Sequence, residues 1–182
     1  QEALSLAQSW VAASPDDANA QMRLGRVLSY LASSQNGEQQ QEVLDQAEQA
    51  FLKAIELAPK NVNTWVAGID FYSRFLRSRE KAVGVLNQLA ADRSFAPQQR
   101  AFMLAELYRQ LGMPDETRKY YLKAAVSSWK CDDLLSMQVL VRVAAYYQHE
   151  SPQFAVSVAR QVMAAQPENA ENTAAAIADV KA

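Results

Sequence analysis

Ser14-Pro15-Asp16-Asp17, Ala58-Pro59-Lys60-Asn61 and Gln166-Pro167-Glu168-Asn169 each close one alanine-rich amphipathic stretch and open the next. Proline fixes φ near the helical value and donates no backbone N–H, so it belongs in the first turn of a helix or just beyond its end. Pro15 and Pro59 stand 44 residues apart, and Pro59 and Pro167 stand 108 apart. The longer interval accommodates roughly three further units of about 34 to 40 residues, the length of a helix pair in a repeat array. Such an array acts by binding along its surface.

Glycine and proline are scarce, five and six in 182 residues, which leaves long helices joined by short turns. The apolar spacing predicts helices over 2–13, 17–33, 38–58, 61–77, 79–91, 97–111, 114–128, 132–149, 152–165 and 169–180. Asn61 before Val62, Ser151 before Pro152, and Pro114 followed by Asp115 and Glu116 are helix-start signals. The β-branched residues fall at helical spacing and never alternate as a strand requires.

With 49% hydrophobic residues and a formal net charge of −2, the chain can bury a sizeable core, and residues 1–182 are expected to form one domain. The longest charge-free run, Ala3 to Pro15, falls short of the roughly 18 apolar residues that a membrane span needs, so no membrane insertion is expected. One cysteine, Cys131, excludes an internal disulfide, and with one histidine, His149, it cannot complete a four-ligand zinc site. That cysteine count suits a reducing cytosol or a disulfide-free periplasmic domain. Gln1 enters a helical pattern directly, which reads as a fragment of a longer chain.

Small residues recur where two helices must approach closely. Leu104-Ala105, Tyr108, Gly112, Thr117, Tyr121 and Ala124 form the clearest unit, within 98–131. Leu24-Gly25 with Ala47, Phe51, Ala54 and Pro59 form another, and Trp65 and Tyr72 with Ala82, Leu86 and Leu89 a third. Val143-Ala144 and Tyr147 with Ala155, Ala159, Val162 and Pro167 form the last. These positions resemble the tetratricopeptide repeat (TPR) over nearly the whole chain. The resemblance implies an all-α, right-handed helix-hairpin solenoid of about four repeats, with partial helices at both ends that offer faces for self-association or for further repeats.

Three departures from the pattern stand out. About ten extra residues, including Gln35-Asn36-Gly37-Glu38-Gln39-Gln40-Gln41, lie between Leu28 and Ala47 and imply a longer, protruding hairpin. Gly68-Ile69 replaces Leu-Gly in the second unit, which also lacks its closing proline. In the fourth unit Leu140/Val143/Ala144/Tyr147 and Val139/Val143/Tyr146 are rival registers.

In this family the first helix of each pair lines a concave groove, and the resemblance therefore implies a partner-binding set of groove residues. The first full unit supplies Met22, Arg23, Arg26 and Tyr30, and the second Asn63, Val66, Asp70, Ser73 and Arg74. The third supplies Gln99, Phe102, Met103, Glu106 and Arg109, and the fourth, in its first register, Val141, Arg142, Ala145 and Gln148. A protein or peptide is the expected partner, held by Arg23, Arg26 and Arg74 at acidic groups and by Phe102 and Met103 at an apolar one. A groove filled in cis, in a structural module of a larger protein, is the alternative. Some members grip a C-terminal carboxylate with Lys and Asn; here those positions hold Met22 and Arg26, Val66 or Ala67, and Gln99 and Met103, so that clamp is not expected.

Charge is uneven. Residues 74–130 hold 11 Lys/Arg against 5 Asp/Glu, densest at Arg74, Arg77, Arg79 and Lys81. Glu80 interrupts that short cluster in an acidic chain, which reads as a solvated turn and not as a nucleic-acid footprint. No enzymatic constellation emerges. His149 has no nucleophile motif around it, and Asp132-Asp133 beside Cys131 disfavours a thiolate. No phosphate loop or metal motif occurs, and no cofactor is expected.

Overall fold

The computed structural model describes residues 2–129 and 133–165, and these form nine α-helices with no strand among them. They are α1 (Glu2–Ala13), α2 (Ala18–Ala32), α3 (Gly37–Leu57), α4 (Val62–Arg74), α5 (Arg79–Ala91), α6 (Pro97–Gln110), α7 (Pro114–Ser128), α8 (Leu134–Glu150) and α9 (Pro152–Ala165). The expected helix over 169–180 and the Gln166-Pro167-Glu168-Asn169 mark lie outside the described residues. Packing divides the chain into two compact units, Gln1–Ser94 and Phe95–Ala182.

Side chains at the turns fix the helix starts. The Asp17 and Asn61 carboxyl and amide oxygens accept from the N–H groups of Asn19 at 2.9 Å and Asn63 at 3.0 Å. Ser78 Oγ accepts from Lys81 N–H at 3.3 Å, and Asp133 from Ser136 N–H at 2.9 Å. These satisfy N–H groups that a first helical turn leaves without partners. The Ser136 hydroxyl donates to the same Asp133 at 2.6 Å, and this bond is the main reason the carboxyl sits below its ordinary pKa.

Two ends show why the boundaries fall where they do. After α6, Gly112 takes φ +66°, its N–H bonds Arg109 O at 3.1 Å, and Met113 N–H bonds Tyr108 O at 3.0 Å. This is a Schellman closure, for which glycine carries no Cβ penalty. The sequence placed the end of α4 at 77, but the helix stops at Arg74. Arg77 takes φ +51°, and the N–H groups of Leu76 and Ser78 turn back to the carbonyls of Phe71 and Tyr72, both at 3.1 Å. A left-handed arginine carries no sequence signal comparable to glycine.

In the first unit, α2 and α3 form one hairpin and α4 and α5 the next, while α1 packs on α2. Ala47 and Ala54 of α3 are wholly buried, and the Phe51 ring lies so near Gly25 that a Cβ there would meet ring carbons at 2.9–3.1 Å. Small residues thus set the close helix approach. The inserted segment extends the start of α3, which runs 21 residues against the 15 of α2. Trp65, Ile69, Tyr72, Ala82, Leu86 and Leu89 form the core of the second hairpin. The buried Trp65 indole N–H donates to Pro59 O at 2.8 Å, so the proline turn also satisfies the polar edge of that ring.

In the second unit the hairpins are α6/α7 and α8/α9, with α8 packed against both α6 and α7. Ala105, Tyr121, Ala124, Leu140, Val143, Ala155 and Val158 belong to one buried cluster. Leu140, Val143, Ala144 and Tyr147 are all buried while Tyr146 is only half-buried, which decides between the rival registers in favour of the first. Val139 is buried too, because α8 faces two neighbours.

Candidate functional site

On the first unit, Arg23, Arg26 and Tyr30 recur at i, i+3 and i+7 along α2, and all three are exposed, Tyr30 at 70%. On α4, which packs against α2, Asn63 and Val66 are exposed, Val66 at 40%. Asp70 is half-buried and pairs with Arg74, one turn on along α4, at 2.6 Å. The Arg23 guanidinium lies over the Trp10 ring, 4.8 Å from its centroid, an attraction the sequence did not reveal because Trp10 and Arg23 stand on opposite sides of the first proline mark. No ion pair engages Arg26 among the described residues. The Tyr30 ring meets the edge of Phe75 at 5.4 Å.

Met22 is not a surface residue. It is 8% exposed and continues the buried stripe Ala18, Met22, Gly25, Ser29 and Ala32, which faces the neighbouring helices. Met103 is likewise corrected: it is 6% exposed, because α6 packs against both α7 and α8 and is buried around most of its circumference. Phe102 is half-buried against the core of the second unit, its ring 6.2 Å from that of Tyr121. The apolar end expected around Phe102, Met103 and Val141 therefore shrinks, leaving Val141 exposed at 43%.

Glu106 and Arg109, also expected on α6, take part in a polar network. Gln99 is half-buried, and the Glu106 carboxylate accepts from Arg109 at 2.8 Å on one oxygen and from the Tyr121 hydroxyl on the other. Tyr146 packs against Tyr121 with centroids 4.3 Å apart, and Tyr147 donates to Arg118 O at 3.2 Å. Burial and, next, the bond to Glu106 push the Tyr121 phenol far above its ordinary pKa. Burial, followed by Tyr146 and Glu150, pushes Tyr147 up to about 12. Each phenol stays protonated at neutral pH and serves as a donor that locks helices together.

A second such lock, in the first unit, disposes of part of the basic cluster. Glu48 of α3 accepts from the Tyr72 hydroxyl at 3.0 Å and from Lys81 Nζ at 2.7 Å, joining α3, α4 and α5. With Lys81 bound to Glu48 and Arg74 bound to Asp70, the dense run of charge in the sequence is not a uniform basic patch. His149 is exposed, and its Nε2 lies 2.8 Å from Gln148 Nε2. No group of three or more metal-ligating side chains occurs among the described residues.

The helix pairs, their small-residue contacts and the Schellman turn meet a direct test in the family comparison. The family profile of the tetratricopeptide repeat matches residues 39–61 and 99–125, the segments that carry Ala47, Phe51, Ala54 and Pro59, and Leu104, Tyr108, Gly112 and Tyr121. Two stretches of the chain thus match the tetratricopeptide repeat (TPR). No curated protein matches it. Among solved structures it is similar to a thermophilic TPR protein of Thermus thermophilus, at 24% identity and a TM-score of 0.48, over 78% of this chain and 70% of that one. TPR domains are generally protein-interaction modules and generally non-catalytic. No described helix of the chain is long and apolar enough to cross a membrane.

Proposed function

We propose that this chain is a protein-interaction module whose first unit binds an acidic peptide segment on the α2/α4 face, with Arg23 and Arg26 meeting carboxylates and Tyr30 and Val66 meeting an apolar side chain. The observation that carries the reading is the composition of that face: an arginine with no acidic partner next to a tyrosine that is 70% exposed. Arginine and aromatic residues are the commonest anchors of protein interfaces. A guanidinium that folding leaves unpaired keeps its full capacity for a bidentate carboxylate contact. Arg109 of the second unit lacks that capacity because Glu106 already holds it. The buried Met22 and Met103 are assigned no contact with the partner.

An array of synthetic peptides tests this reading, each pairing Asp or Glu with Leu or Phe and each matched by its Asn or Gln counterpart. The chain is expected to retain the acidic members and release their amide counterparts. Arg26→Glu should abolish retention and Arg109→Glu should leave it unchanged. Equal retention of acidic and amide peptides overturns the proposal.

A further inference from the structure

The first unit contains a cavity of about 420 Å³ where the end of α2, the start of α3 and the end of α4 meet. Its walls include Ser29, Ser33, Gln40, Phe75, Arg74 and Arg77. Arg77 owes its place there to the left-handed turn that ends α4, at φ +51°. The three neighbours that crowded it in the sequence are otherwise committed or differently placed. Arg74 pairs with Asp70, Lys81 pairs with Glu48, and Arg79 opens α5. Arg77 has no ion pair or hydrogen bond from its side chain among the described residues. It is an unpaired cation on the wall of a polar cavity.

Of the uncharged polar walls, Ser29 and Ser33 have used their hydroxyl donors and Gln40 one of its two amide N–H donors. Ser29 Oγ donates to Gly25 O at 2.7 Å, Ser33 Oγ to Ser29 O at 3.2 Å, and Gln40 Nε2 to Ala32 O at 3.1 Å. What the reachable groups still offer is chiefly acceptor capacity, the Ser33 hydroxyl lone pairs and the Gln40 carbonyl oxygen, beside one free Gln40 N–H. The cavity therefore asks for a ligand that brings an anion to Arg77 and N–H donors to its other walls. A bare phosphate supplies the first and few of the second. A carboxylate side chain within a peptide supplies both, through its own oxygens and the adjacent amide N–H groups.

We infer that this cavity is the subsite for one acidic side chain of a bound peptide, with Arg77 as its charge partner and Ser33 and Gln40 accepting from the peptide amides. The inference rests on the reading of the α2/α4 face given above and locates a specific anchor beside it. Continuity between the two is structural: Tyr30 of that face packs its ring against Phe75, which lines the cavity. The position lies off the first-helix strip on which Arg23, Arg26 and Val66 stand.

The left-handed backbone provides a clean variant. Glycine favours φ +51°, so Arg77→Gly removes the guanidinium and relieves the backbone, and it should melt at or above the wild-type temperature. The probe is N-acetyl-glutamate N-methylamide, followed by the backbone amide resonances of Ser29, Ser33, Gln40 and Arg77 in the full chain. Its glutamine counterpart and inorganic phosphate serve as comparisons. The glutamate compound should shift these resonances saturably and the glutamine compound should not. Arg77→Gly should weaken binding about tenfold or more, the expectation for loss of a charged hydrogen bond, and Arg77→Lys by less. Two results overturn the assignment. Unmoved resonances with the glutamate compound remove the site, and phosphate binding as tightly as the glutamate compound makes it a bare oxyanion site. Either leaves the α2/α4 face to stand or fall on Arg26→Glu in the peptide array.

Discussion

Three glycines lie inside helices of the first unit, and replacing each by alanine separates helix propensity from packing. Alanine is favoured over glycine in a helix interior by about 1 kcal/mol, partly through the unfolded chain, and this term is nearly common to all three sites. At Gly84 nothing lies within 4 Å of the added Cβ, so Gly84→Ala should stabilise by about 1 kcal/mol. At Gly68 the Cβ meets only Ile55 Cδ1 at 3.3 Å, the free end of a flexible side chain, and the net gain should fall to about 0.5 kcal/mol. At Gly25 the Cβ meets three carbons of the rigid Phe51 ring at 2.9, 3.0 and 3.1 Å. Carbon contacts prefer about 3.5–4.0 Å, so the ring or the helices must shift, at about 1–3 kcal/mol.

Gly25→Ala should therefore destabilise by about 1 kcal/mol after the propensity gain is subtracted. The order of stability becomes Gly84→Ala, Gly68→Ala, wild type, Gly25→Ala, spanning about 2 kcal/mol. Urea unfolding followed by circular dichroism measures this series, with slopes compared to check that the unfolded states match. Adding Phe51→Leu to Gly25→Ala should recover about 1 kcal/mol of coupling in a double-mutant cycle. If Gly25→Ala stabilises as much as Gly84→Ala, the close approach of α2 and α3 does not limit that position and the reasoning fails.

Further outcomes follow from the core and the tyrosines. Leu140→Ala should cost about 2–5 kcal/mol while Val141→Ala stays within about 0.5 kcal/mol, since one is wholly buried and its neighbour 43% exposed; equal costs in urea unfolding would contradict the register of α8. Tyr72, Tyr121 and Tyr147 all have folded pKa values raised above the ordinary 10.0. A raised folded pKa means the unfolded chain loses these protons first. Their contribution is therefore complete below about pH 10 and is lost progressively as pH rises from there through the folded values, a loss complete at about 12 for Tyr147. An alkaline titration followed by tyrosinate absorbance and helicity together should show these phenols ionising only as the helices unfold, and early ionisation in a fully helical chain would refute the claim.

Proline placement, capping residues and 3.6-residue spacing act over a few neighbours, so the helices were legible in the sequence, down to the start set by Asn61. So were the core positions of Phe51, Trp65, Tyr72, Tyr108 and Tyr121, which the repeat pattern marks and burial bears out. What folding decided is how much of each helix its neighbours cover. Met22 and Met103 were expected on an open face, yet partners far along the chain bury them, while Tyr30 stays open. Charge followed the same rule for Lys81, whose partner lies 33 residues away, whereas Arg74 meets Asp70 one turn back on its own helix. Arg74, Arg77 and Lys81 are nearly equivalent in sequence, but Asp70 takes the first, Glu48 takes the last from another helix, and a left-handed turn leaves Arg77 facing a cavity. Periodicity fixes a side chain's direction around its own helix axis; the neighbours it meets there depend on contacts dozens of residues away, which only the tertiary structure contains.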